Sequence, residues 1–175
     1  MFIPEPFMIV VETARLNISH LSHDDAPFIL ELVNDPAFIA NIGDRQVRSL
    51  ADARRYIDGP LDSYARHGFG LFRTALRDGD IPIGICGLLR RDTLPDVDIG
   101  FAYLPRFRGQ GYGSEAARAV MDYGRAVHGL TRIIGVVSPT NAASIRILEK
   151  LGMRFERAID MPGYDGETWL YAPEP

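Results

Sequence analysis

Cysteine is almost absent from this chain: Cys86 is the single one among 175 residues. An internal disulfide framework is thereby excluded, and the setting Ile81-Pro-Ile-Gly-Ile-Cys-Gly-Leu-Leu89 gives the thiol the character of a small buried hydrophobe. Long apolar runs are missing too. No segment approaches the ~20 apolar residues that span a bilayer, and the opening Met1-Phe-Ile-Pro-Glu-Pro6 has neither a basic stretch nor an apolar run of signal length. A cytoplasmic location with no membrane partner is expected. The four histidines, His20, His23, His67 and His128, lack ligand spacing apart from the i, i+3 pair His20 and His23, which falls across a turn, so no metal is expected. An excess of positive charge is lacking as well: the formal net charge is -4. That balance argues against nonspecific nucleic-acid binding and favours a cationic substrate. No repeat or low-complexity linker divides the chain, and 46% hydrophobic content suffices for one core, so a single domain over residues 1–175 is expected, with Pro-rich ends that are loose.

What the chain does have is a concentrated glycine loop, Arg108-Gly109-Gln110-Gly111-Tyr112-Gly113, directly before an alanine-rich helical pattern. Without Cβ atoms the backbone can take positive φ and approach a ligand closely. The first N–H groups of the following helix are unpaired, and with the positive end of the helix dipole they form an anion site. Upstream, Val97-Asp98-Ile99-Gly100-Phe101-Ala102-Tyr103 alternates as a half-buried strand does. Downstream, Ala116, Ala117, Val120, Met121, Gly124 and Val127 recur at helical spacing. The unit is strand, glycine loop, helix.

Two familiar phosphate loops fail on context. No Gly-Lys-Ser/Thr follows, which removes the P-loop. Gly111, Gly113 and Ala116 satisfy the dinucleotide pattern G-x-G-x-x-A, but that fold needs an acidic residue about 20 positions on, at the end of the next strand. Here the next strand, Arg132 to Val137, ends in Ser138 and Pro139.

The remaining elements follow from periodicity and caps. Ala14 to Leu21 reads as a first strand, and Ser22-x-x-Asp25 caps a helix carrying Phe28, Ile29, Leu32 and Val33 that Asp35-Pro36 stops. Ser49-x-x-Asp52 caps a second helix, interrupted at Gly59-Pro60 and ending near His67-Gly68. Strands follow at 69–77 and 81–90, joined through Arg77-Asp-Gly-Asp80, where Asp-Gly suits a tight turn. After the strand of Asp98 and the helix 112–128 come a strand at 132–137, a helix at 141–151, and strands at 153–160 and 166–172. The order β-α-α-β-β-β-α-β-α-β-β makes the fold class α/β.

The loop resembles the acyl-CoA loop of the GNAT acetyltransferases, Gln/Arg-x-x-Gly-x-Gly/Ala, which Arg108, Gly111 and Gly113 match at every specified position. The resemblance extends to Asp98-Ile-Gly-Phe-Ala-Tyr103 before it, and to Asn141-Ala-Ala-Ser144 with Leu148 and Leu151-Gly-Met153 after it. It implies a GNAT-like fold, with a mixed, mostly antiparallel sheet of about seven strands flanked by helices, and acetyl-CoA as co-substrate. Its diphosphate would lie on the amides of Arg108, Gly109, Gln110, Gly111, Tyr112, Gly113 and Ser114. The pantetheine arm would pair with the edge of Phe101, Ala102 and Tyr103, and Asn141 would reach that arm while capping its helix. Transfer to an amine also needs loss of a proton, stabilisation of an oxyanion, and a stable leaving thiolate.

For the proton, Asp98 stands where several family members carry a glutamate base; one methylene shorter, it would work through water. A solvated strand end, or plain attraction of a cation, is the alternative for Asp98 and for Asp96, its neighbour on the same strand face. The oxyanion would meet a backbone amide near Ala102 or Tyr103. Many relatives support the thiolate with a tyrosine at the position of Leu148. The ribosomal-protein N-terminal acetyltransferase branch lacks it and offers a serine instead, here Ser144, which as a helix-start serine has a plain backbone-bonding role open to it. The implied acceptor is a primary amine, whether of a protein N-terminus, a polyamine or a small molecule, acted on by a monomer or homodimer. Aromatic residues Phe38, Tyr56, Phe69 and Tyr164 are candidates for either the acceptor site or ordinary packing, and Arg146 and Lys150 for either the 3'-phosphate or a solvated helix face. A noncatalytic acyl-CoA sensor is the alternative function, and the missing tyrosine is its support.

Overall fold

The computed structural model describes residues 8–175. The N-terminal proline stretch, Pro4 and Pro6, lies outside them. Eight strands form one sheet: β1 (Ile9–Glu12), β2 (Leu16–Ser19), β3 (Leu71–Leu76), β4 (Pro82–Leu89), β5 (Val97–Tyr103), β6 (Ile133–Val137), β7 (Met153–Ile159) and β8 (Thr168–Pro173), in the order β1-β2-β3-β4-β5-β6-β8-β7. Every pairing is antiparallel except β5 with β6. The helices are α1 (Ala26–Val33), α2 (Pro36–Asn41), α3 (Leu50–His67), α4 (Tyr112–His128) and α5 (Ala142–Lys150).

Four boundaries differ from expectation, each for a local reason. The strand expected at 14–21 shortens to β2, and the extra strand β1 folds back on it; with so short an edge strand, no alternation was readable. Pro36 does not end the helical region. It takes the first position of α2, where its missing N–H is harmless, and the Asp35 side chain caps the Phe38 amide at 3.2 Å. Helix α3 runs unbroken through Gly59-Pro60, which sits inside it. At the C-terminus the strand expected at 166–172 forms as β8, shifted to 168–173, because its pairing with β7 runs on to Met153↔Pro173 and takes in the first of the terminal prolines.

The caps are as expected. Ser22 and Asp25 form a reciprocal capping box on a 3₁₀ turn, His23–Asp25, that leads into α1. Ser49 Oγ accepts from the Asp52 amide at 3.1 Å, while Asp52 accepts from the Arg48 amide at 2.9 Å. The β3–β4 turn puts its positive φ values on Gly79 and Asp80, one residue later than Asp-Gly implied. Buried Arg73 fixes that turn: it donates to the Asp80 carboxylate at 3.0 Å and carbonyl at 3.1 Å, and binds Asp25 at 3.0 Å.

Two cores sandwich the sheet. On one face α4 sets Ala116, Ala117, Val120 and Met121 against Leu16, Ile18, Phe72, Val97 and Ile99. On the other, α1, α2 and α3 set Ile29, Leu32, Phe38 and Ile57 against Ile85 and Leu104. Parallel pairing of β5 with β6 covers only Val97↔Ile133 and Asp98↔Ile134. Beyond Asp98 the two strands part, and the split opens the site.

Candidate active site

The split leaves β5 with a ladder on one side only. Its register with β4 continues to Gly84↔Tyr103, and the Leu104 amide donates to the Ile83 carbonyl at 2.9 Å. Bonded pairs alternate in an antiparallel ladder, so Ala102 and Gly100 turn their amides toward β4, while Phe101 and Tyr103 turn theirs to the open side. An unpaired strand edge of this kind is a template for an extended, amide-bearing ligand. The same parity corrects one expectation: the free amides belong to Phe101 and Tyr103, not to Ala102.

The open side is the floor of a cleft of about 390 Å³. It is lined by Phe101, Ala102, Tyr103, Arg108, Gly109, Gly111, Tyr112, Gly113 and Ser114, and on the α5 side by Asn141 and Ser144. Gly109 and Gly111 have φ of 74° and 84°, a region that side chains rarely adopt, and Gly111 is the left-handed N-cap of α4. At Gly113 the constraint is space: a Cβ there would lie 2.8 Å from Ile147 Cδ1 and 3.3 Å from the Tyr103 ring. The loop thus presents the bare start of a 17-residue helix to the cleft. Gln110 faces away from it, its side chain donating to the Arg106 carbonyl at 3.2 Å.

The Arg108 side chain makes its contacts within the protein. Its Nε donates to the Tyr103 carbonyl at 2.9 Å and its guanidinium pairs with Asp35 at 2.6 Å. The side chain ties the glycine loop to β5 and to the cap of α2, and its charge is compensated. Arg15, which the sequence did not single out, braces the loop from the other side. It donates to the Gln110 carbonyl at 2.9 Å, pairs with Glu115 at 2.7 Å and lies 4.3 Å over the Tyr112 ring. Arg146 and Lys150 line the far end of the cleft, so two cations do face it.

A second cavity, of about 110 Å³, joins the first. Phe38, Asn41, Ile42, Phe101, Ala102, Asn141 and Ser144 line both. At this junction Asn141 caps α5, its Oδ1 accepting from the Ser144 amide at 3.2 Å, and the Ser144 side chain has no hydrogen-bond partner among the described residues. Leu148 is buried; a Cβ added to Gly135 would lie 2.6 Å from its Cδ2, so this position supplies packing and no hydroxyl.

The walls of the second cavity carry Tyr56, Arg45, Arg91, Asp98 and Tyr164. Asp98 is not a solvated strand end. Its side chain is 1% exposed and takes both bonds from Arg91, at 2.9 and 3.3 Å. Burial raises its pKa above the ordinary carboxylate value, against the lowering pull of Arg91. Arg91 also donates to the Tyr164 hydroxyl at 3.2 Å. Asp96 takes no part: it pairs with Arg132 at 3.1 Å, away from both cavities. Of the aromatic candidates, Phe38, Tyr56 and Tyr164 line the cavity, whereas Phe69 is core.

Cleft, glycine loop and split strands together define an acyl-CoA-dependent acyltransferase fold. A family model described as an acetyltransferase (GNAT) domain matches residues 15–154. The chain belongs to the GNAT acetyltransferases and is an acetyl-CoA-dependent acyltransferase. It is 30% identical over 146 residues to YnaD, an uncharacterized N-acetyltransferase of Bacillus subtilis strain 168, covering 83% of each chain. Among solved structures it is similar to a GNAT-family acetyltransferase from Bacillus anthracis, with TM-score 0.78, 26% identity, and coverage of 94% of this chain and 97% of that one. A RimL ribosomal L7/L12 α-N-protein acetyltransferase in complex with coenzyme A shares the fold, with TM-score 0.79, 18% identity, and coverage of 94% and 97%. No helix among the described residues is long and apolar enough to cross a membrane.

Proposed function

We infer that this protein moves the acetyl group of acetyl-CoA to a primary amine by direct attack, with both substrates bound together. The observation that carries this reading is the shared wall of the two cavities at Phe101, Ala102, Asn141 and Ser144. A thioester extended along β5 ends where an amine in the second cavity begins. A covalent relay through the protein has no support, since Cys86 is buried in the core and burial pushes its thiol up to about 12.

In the step itself the neutral amine nitrogen attacks the thioester carbon, a C–N bond forms and the C–S bond breaks. The oxyanion faces the free amides of Phe101 and Tyr103. The nitrogen's surplus proton leaves to water in the second cavity, and the thiolate takes one from water at the junction, where the Ser144 hydroxyl steadies the sulfur by hydrogen bonding. Asp98 acts in this reading by holding Arg91, and through it Tyr164, at the acceptor wall. Arg108 to Ser114 hold the diphosphate through their backbone, with Arg146 and Lys150 facing the distal phosphate.

The test is release of free thiol from acetyl-CoA in the presence of amines, peptides with free N-termini and ribosomal proteins. The expected result is turnover with at least one acceptor and none with acceptors blocked at nitrogen. Tight coenzyme A binding with no turnover on any amine would sink the transferase reading in favour of a sensor.

A further inference from the structure

The second cavity carries more positive than negative charge. Its ionisable lining is Arg45, Arg91 and Asp98, besides the tyrosines. Arg91 is compensated by Asp98, but Arg45 has neither an ion pair nor a hydrogen bond among the described residues; its guanidinium lies 5.7 Å over the Tyr164 ring. It is half-buried, and a guanidinium withdrawn from water without an anion is unfavourable unless a ligand completes it.

The loop that presents Arg45 is built rather than slack. Val47 is buried and its carbonyl accepts from Asn34 Nδ2 at 2.8 Å; the Gln46 amide donates to Asp44 at 2.8 Å, and Asp44 in turn pairs with Arg48 at 2.6 Å. Gln46 itself is held at φ 56°, one of two non-glycine residues with positive φ among those described. Backbone strain of this sort persists where surrounding contacts over-determine it, and it clusters at ligand clamps. Its neighbours are satisfied by one another, which leaves Arg45 for a ligand. Tyr56, on the same wall, has a hydroxyl with no hydrogen-bond partner among the described residues.

We propose that the acceptor is a small amine that also carries a carboxylate, an amino-acid-like molecule whose carboxylate is bound by Arg45. This inference rests on the transferase reading above. The carboxylate suits the planar fork of a guanidinium, and a cavity of about 110 Å³ holds roughly four water-sized groups at ~30 Å³ each. A diamine would instead bring its second ammonium against Arg45. The uncompensated Arg45 guanidinium also favours the neutral form of the bound amine, because like charge disfavours the ammonium. That helps a site whose one carboxylate is already engaged. The expectation of a cationic substrate, drawn from the net charge of the whole chain, is therefore reversed by the local field of the pocket.

The test measures thiol release from acetyl-CoA by the full chain with three panels: α- and short ω-amino acids, their carboxamides, and aliphatic diamines, each expressed as neutral amine. Amino acids should exceed their carboxamides at least ~10-fold in kcat/KM, with diamines slowest. Arg45→Gln should cut the amino-acid value by roughly 10- to 100-fold, as loss of a charge-assisted pair does, and lower the carboxamide value far less, since carboxamides lose only the like-charge effect on the amine. Arg45→Lys should recover part of the loss. Coenzyme A affinity by calorimetry should be unchanged in both variants, since Arg45 lies outside the donor cleft. Carboxamides or diamines equal to amino acids would overturn the proposal while leaving the transferase standing. Silence from all three panels and from peptides, with coenzyme A still bound, would overturn the transferase reading and the proposal with it.

Discussion

The cleft along β5, proposed for the donor, and the pocket beside it, proposed for the acceptor, share a wall, yet they are made of different material. The cleft is mostly backbone: the free edge of β5, the left-handed glycines 109 and 111, and the bare start of α4. The pocket is mostly side chains, delivered by α2, the loop before α3, α3 itself, the β4–β5 connection and the β7–β8 loop. A backbone site is sensitive to the presence of any Cβ, while a side-chain site is sensitive to which functional group is present. Donor chemistry can therefore stay fixed across a family while the acceptor side changes residue by residue.

The sharpest way to break the comparison is Gly113→Val. Its Cβ would already sit 2.8 Å from Ile147 Cδ1, and the branch would add further contact with Tyr103. Overpacking of this kind costs about 1–3 kcal/mol, and a displaced start of α4 should weaken coenzyme A binding roughly 100-fold through loss of the anion site. Calorimetric titration of coenzyme A reads the second effect and thermal unfolding the first. Unchanged affinity would show that the cleft is not built on the backbone at this point.

Asp98→Asn probes the other side and should act less strongly. If Asp98 anchors Arg91, the acceptor KM should rise ~10-fold with kcat nearly kept; a general base would instead lose ~10²–10⁴ in kcat. Folding should lose less than the ~3–5 kcal/mol of a fully buried broken pair, because Arg91 is 24% exposed. The pH sign follows from burial. A raised folded pKa means that ionised Asp98 opposes folding above that value, and this opposition fades as pH falls through it. The Arg91 anchor weakens over the same fall, so acceptor KM should climb on the acid side earlier than an ordinary aspartate would dictate, and Asp98→Asn should flatten that limb.

The same contrast decides what could be read from residue order. Gly109, Gly111, Gly113 and the cap at Asn141 were legible because backbone sites demand particular residues in contiguous sequence, and the strand-loop-helix unit kept its boundaries. Arg45 was not legible, since a loop arginine looks the same whether it faces solvent or a pocket. Arg108 shows the opposite case: its place in the motif was legible, whereas the partners of its side chain, Asp35 and the Tyr103 carbonyl, are residues no local pattern pairs with it. Asp98 was singled out by its place before the glycine loop, but its burial was not legible, and its partner came from the β4–β5 connection, which has no periodicity to read. The continuity of α3 through Pro60 was hidden for a related reason: tertiary packing of Ala53, Ile57 and Pro60 outweighs a local breaker.

Ser144 lies where the two materials meet, and it should give the smallest effect. Its amide is held by Asn141 and its hydroxyl faces the junction, so Ser144→Ala leaves the cap of α5 intact and removes only the hydroxyl. An aliphatic hydroxyl is a weak acid, so in the proposed reaction its service to the departing sulfur is one hydrogen bond of about 0.5–1.5 kcal/mol. The expected fall in kcat is therefore ~2- to 10-fold, with coenzyme A affinity and acceptor KM held. A thioester with a better leaving thiol should narrow the gap between variant and parent, because a more stable thiolate needs less help. A gap independent of the leaving group would place Ser144 on the acceptor side of the junction, as a residue that orients the amine.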